Sequence, residues 1–146
     1  MYYGNSFNGG RIRTGRAGLV AISIPIFTSQ LEKSRDAVSV ANIRAAYAEA
    51  TSELLTWDGK ATTFTNSNVT GITKDGTNTK VVVKDVAIKS QKNDSFSGEA
   101  AELPGGSSIA DPGVAGDYNV TFTYDANGNC TGITMNKVPQ TGNTGE

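Results

Sequence analysis

The residues able to do chemistry are few in kind. The chain has no histidine, which removes the usual general base near neutral pH, the commonest metal ligand and every Ser-His or Cys-His nucleophile pair. The single cysteine, Cys130, has no intrachain partner and no imidazole to activate it, so it reads as a small apolar residue of a strand. Asp75, Asp94, Glu99, Glu102, Asp111 and Asp117 fall in loop-like stretches and read as solubilising charges. Their spacing does not set two of them at a working distance for acid-base chemistry. The sharpest metal pattern is Asp125-x-Asn127-x-Asn129, which imitates the opening of a calcium loop. Its sixth position is Cys130 where such a loop needs Gly, and its twelfth is Asn136 where it needs a bidentate Glu. A hairpin turn is the expected structure there. No catalytic residue, cofactor or metal is expected, and the protein is expected not to be an enzyme.

Charge points the same way. Thirteen basic residues stand against fourteen acidic ones, so no global field attracts nucleic acid or an anionic membrane. Arg11, Arg13 and Arg16 lie in a glycine-rich stretch and give only weak, salt-sensitive attraction to phosphate; nucleic acid is not an expected partner. Asn-x-Thr triplets at Asn68, Asn119 and Asn129 match a glycosylation acceptor, but they arise easily in a Thr- and Asn-rich chain and receive no role.

The elements that position these residues follow from periodicity. A length of 146 residues fits one domain, while 17 glycines and 37% hydrophobic residues suggest a lean core and many turns. Residues 1–18 read as a flexible polar leader of non-native origin. From Leu19 to about Trp57 the pattern is helical, with two stripes at spacings of three and four. One runs Ile24, Phe27, Leu31, Ser34, Val38, Ala41, Ala45, Ala48. The other, with bulkier members, occupies the second half: Val40, Ile43, Tyr47, Ala50, Leu54, Trp57. The bulky stripe is expected to lie on the sheet, with Val40, Ile43, Tyr47, Leu54 and Trp57 as the helix-sheet core. Ile22, Ile24, Pro25, Phe27, Leu31, Val38, Ala41 and Ala45 are expected to seek another molecule as an assembly face. Pro25 either kinks the helix or marks its first turn. Ser29 and Glu32 have capping-box spacing, which favours a start near Thr28. Glu32 with Arg35 is expected as a weak surface pair, and Glu49 with Glu53 as a slightly unfavourable like-charge pair.

After Asp58-Gly59 the composition turns to Thr, Asn, Gly and Val, suited to turns and short strands. Thr79–Ile88 reads as a strand with Val82, Val86 and Ile88 on one face, Val81 and Val83 on the other, and Lys84 interrupting. Tyr118–Tyr124 alternates cleanly, and Cys130–Asn136 follows. Asn127-Gly128 is expected to close the hairpin as a type I′ turn with both residues at positive φ. Residues 91–116 read as a long exposed loop, and 139–146 as a disordered tail.

The run LVAISIPIFTSQLEKSRDAVSVANIRAAYAEA, Leu19 to Ala50, resembles the N-terminal helix of type IV pilins and secretion pseudopilins of the Gram-positive kind. The likeness is strongest at Ile24-Pro25-Ile26-Phe27 and at Ala41 to Tyr47. It implies an α+β, pilin-like fold: one long helix packed on a small antiparallel sheet with a C-terminal hairpin, spanning 19–138. It further implies a homo-oligomeric helical filament built through that helix, in company with other pilins, at the cell surface, serving adhesion, motility or secretion. The family's peptidase site, a Gly before Phe or Met, and the Glu that follows it have no counterpart in this sequence. As it stands the chain is expected to be soluble, with any membrane contact requiring a native N-terminal segment not present in it. The alternative reading is a minor pilin, adhesin or DNA-uptake module whose 91–116 loop recognises a ligand.

Overall fold

The computed structural model describes residues 4–105 and 109–140, with side chains from residue 28 onward. Helix α1 spans Gly4–Thr56, followed by strands β1 Val69–Asp75, β2 Asn78–Ile88, β3 Gly116–Tyr124 and β4 Cys130–Lys137, with a 3₁₀ segment at Ser95–Glu102 between β2 and β3. The four strands form one antiparallel sheet in the order β1-β2-β3-β4, and residues 40–54 of α1 lie across one face of it. The fold class is α+β, as expected. The helix begins at Gly4 rather than near Leu19 and passes through Pro25 without ending. Side chains of the leader and residues 141–146 of the tail lie outside the described residues.

The core joins Val40, Ile43, Ala46 and Ala50 of α1 to Val81, Val83, Val86 and Ile88 of β2, Tyr118, Val120, Phe122 and Tyr124 of β3, and Ile133 of β4. Val40 and Ile43 are buried, while Tyr47, Leu54 and Trp57 are half-buried against this cluster. Tyr47 meets Phe122 edge-on at 5.8 Å between ring centroids. The Thr51 and Tyr124 hydroxyls share a hydrogen bond of 2.8 Å, which gives the buried phenol its polar partner.

One strand and one turn depart from the sequence reading. In β2, Val81 and Val83 share the buried face with Val86 and Ile88, whereas Val82 is half-buried on the other side. A bulge between Val83 and Val86 causes this: Asp85 takes φ 57, the register slips there, and the Lys84 N–H leaves the ladder for the Asn68 carbonyl. One extra residue shifts a period-two pattern by half a cycle, so both halves of the strand face the helix. At the β3-β4 hairpin Gly128 has φ +87 but Asn127 is not left-handed. The Gly128 N–H donates to the Asp125 carbonyl, and Asp125 Oδ1 accepts from the N–H of Asn127 and of Asn129. The loop is therefore a wider turn organised by an aspartate, not a two-residue type I′ turn. Asp75-Gly76 closes a further hairpin, β1-β2, with Gly76 left-handed and Asp75 opposite Asn78.

Candidate functional site

Two parts of α1 are candidates, and they lie on different faces. The first is the stripe facing away from the sheet. Leu31 is 38% and Val38 46% exposed, and Ser34, Ala41, Ala45 and Ala48 are exposed as well. Their spacing of three and four puts them on one side of the helix. Beside them an open groove of about 500 Å³ is lined by Ser34, Arg35, Val38, Lys89, Gln91 and Ala115. Of the expected assembly residues, Leu31, Val38, Ala41 and Ala45 thus share an accessible face, while Ile22, Ile24, Pro25 and Phe27 lie outside the described side chains.

The second part was not legible as a site. Glu32, Asp36 and Ser39 are buried and face the segment after β2. Glu32 is not a capping residue. Its Oε2 accepts from the N–H of Gln91 at 2.8 Å and of Lys92 at 3.1 Å, while Oε1 meets Arg35 at 3.2 Å. Ser39 Oγ accepts from the N–H of Lys89 and Ser90 and donates to the Arg35 carbonyl. Asp36 Oδ2 accepts from Ser97 Oγ at 2.6 Å, and Oδ1 is buried without a hydrogen-bond partner. One carboxylate oxygen each from Glu32, Asp36 and Asp94 lies within 4.8 Å of the others.

Asp111 is the largest correction among the acidic residues. It is a buried bracket, not a solubilising charge. Oδ2 accepts from the N–H of Phe96 and Asp94, and Oδ1 from the Gly113 N–H and the Ser90 hydroxyl. These bonds hold Ser95, Phe96 and Ser97 in left-handed conformations, which are unfavourable for residues with a Cβ. Residues 91–103 of the expected free loop 91–116 are accordingly pinned to α1, with Phe96, Ala100 and Leu103 buried. The signal available in sequence was Asp111-Pro112-Gly113, an Asx-turn composition.

Burial alone would push the Asp111 carboxyl up, but the N–H groups of Phe96, Gly113 and Asp94 and the Ser90 hydroxyl outweigh it and hold it below the ordinary carboxylate range. Glu32 is held low the same way, burial being overcome by Gln91, Arg35 and Ser90. Asp36 goes the other direction: burial raises it, and the Asp94 carboxylate adds to that against Ser97 and Ser90. Elsewhere, burial pushes the Cys130 thiol up, which disfavours the nucleophilic thiolate. The two carboxylates expected to repel are each occupied: Glu49 accepts from the Asn66 and Asn68 side chains, and Glu53 from the Asn66 N–H.

Among the described residues no helix is long and apolar enough to cross a membrane. Compared with family models, curated proteins and solved structures, the chain matches none of them.

Proposed function

We propose that this protein is a structural subunit of a type IV pilus-like surface filament, assembling through α1. The observation that carries this reading is the exposed stripe Leu31, Ser34, Val38, Ala41, Ala45, Ala48 on the side of the helix away from the sheet. Large apolar side chains at Leu31 and Val38 supply burial energy, roughly 1–1.5 kcal/mol for each half-exposed residue that becomes covered. The alanines let a neighbouring helix approach closely. Such a contact is weak singly and strong when repeated along a helical polymer, where the stripe of each subunit packs head-to-tail on a different surface of the next. The pilin-like run Leu19 to Ala50 contains the whole of this stripe and supports the same reading.

Replacing Leu31 and Val38 together by Ser should leave the melting temperature within a few degrees of the parent while abolishing concentration-dependent self-association, read by sedimentation velocity, and incorporation into filaments. Unchanged association would remove this reading. Loss of the fold would show that the stripe is internal core.

A further inference from the structure

We propose that Glu32, Asp36 and Asp94 form a binding site for a hard divalent cation of the calcium class, joining α1 to the segment after β2. Two observations converge on it. One carboxylate oxygen from each residue lies within 4.8 Å of the others, which is the span across a Ca²⁺ coordination sphere with ligands at about 2.4 Å. Independently, Asp36 Oδ1 is fully buried and has no hydrogen-bond partner. A buried carboxylate oxygen left bare is rare in folded proteins and signals an ion or water at that place.

Donor arithmetic separates an ion from a water. The Ser97 hydroxyl has one proton but touches both Asp36 Oδ2 at 2.6 Å and Asp94 Oδ2 at 3.4 Å. The Ser90 hydroxyl has one proton for Glu32 Oε2, Asp111 Oδ1 and the Lys92 carbonyl. Glu32 Oε2 and Asp111 Oδ1 also accept backbone N–H groups, so the shortage of protons falls on Asp36 and Asp94. Charge is short as well. Arg35 pairs with Glu32, while Lys33 and Lys92 line the adjoining groove without forming an ion pair with the three carboxylates. Three carboxylates and one guanidinium leave two negative charges uncompensated, the charge a divalent cation brings. A water would supply two protons and no charge. The groove, about 610 Å³ and lined also by Glu32, Asp94 and Ser97, opens to solvent, giving an entry path and room for the waters that complete an oxygen shell. An all-oxygen donor set with no nitrogen or sulfur selects a hard cation, and an irregular loop suits the adaptable geometry of Ca²⁺ better than the strict octahedron of Mg²⁺.

The test is a CaCl₂ titration of the full chain after chelator treatment at pH 7, read by melting temperature and by calorimetry. Parent protein should show a saturable rise in melting temperature with one ion bound per chain, and MgCl₂ at equal concentration a smaller rise. Asp36→Asn removes a buried unpaired charge, so its metal-free form should melt at or above the parent, yet its Ca²⁺ response should vanish. Asp94→Asn should also lose the response. Asp125→Asn, at the calcium-like hairpin, should keep it. The proposal is overturned by no response at millimolar Ca²⁺, by a response that survives Asp36→Asn, or by one that disappears in Asp125→Asn. It is equally overturned if acidification to pH 5 stabilises the metal-free parent and Ca²⁺ adds nothing at pH 7, since Asp36 would then be satisfied by a proton instead.

Discussion

The same face of α1 is held by two kinds of physics. Between Val40 and Ala50 it meets the sheet through Val40, Ile43, Ala46 and Ala50. Over the two turns just before Val40 it meets the segment after β2 through Glu32, Asp36 and Ser39, all buried and polar. The 3–4 spacing is continuous across both. Apolar contact is non-directional and tolerates repacking, whereas each carboxylate and hydroxyl must find particular donors. The sheet contact therefore serves as the stability core, and the polar contact fixes where one loop sits on the helix.

The largest effect should come from the apolar part. Ile43 is fully buried, and Ile43→Asp puts a carboxylate there at a cost of several kcal/mol, comparable to the whole stability of a small domain. Loss of the cooperative melt by circular dichroism is expected. A variant melting within a few degrees of the parent would erase the distinction between the two contacts.

Asp111→Ala should cost less, about 3 kcal/mol, because it strands the buried Phe96 N–H and frees the N–H groups of Asp94 and Gly113. The loss should be local. Amide exchange should quicken over residues 94–103 while β2 and β3 stay protected. Global unfolding in step with the loop would mean that both contacts form one cooperative unit. The pH dependence has a definite sign. Asp111 and Glu32 are held low, so they add stability that is present above the ordinary carboxylate range and lost as pH falls through their folded values. Asp36 is held high and opposes them, its contribution being present in acid and lost as pH rises through its folded value. The parent should lose stability below about pH 4, the ordinary carboxylate region, and Asp111→Ala should lose less over that interval.

The contrast also explains what the sequence made readable. Hydrophobic periodicity finds Ile43 and Val40 because apolar residues recur there, and the alternation Tyr118, Val120, Phe122, Tyr124 finds β3. The same stripe goes unseen at Asp36 and Glu32, since a pattern scored on apolarity stops where the buried residues become polar. Asp111 was hidden for a related reason: its partners Phe96 and Ser90 are distant in sequence, and only its Asx turn to Gly113 is local. The β2 faces were misassigned because a bulge at Lys84-Asp85 is set by tertiary pairing with Asn68 and β3, and alternation alone cannot place it. The exposed stripe was legible as a pattern from Leu31 to Ala48.

The smallest effect should lie outside both contacts, at the β3-β4 hairpin. Gly128 has φ +87, and a Cβ added there would meet nothing within 4 Å, so substitution is penalised by backbone conformation alone. A β-branched residue forced into the left-handed region loses about 1–2 kcal/mol, whereas Asn, which tolerates that region, should lose only a fraction of it. Gly128→Val should thus lower stability measurably in denaturant melts and Gly128→Asn barely; equal losses would mean that crowding, and not φ, sets the position. The pair Gly128→Val and Asp111→Ala sharpens the larger contrast. Among the described residues the two sites share no hydrogen-bond partner, and independent sites add to within about 0.5 kcal/mol. Additive losses would show that the loop bracket acts on its own segment, while a coupling well above that margin would place the hairpin, the bracket and the sheet in a single unit whose parts cannot be released separately.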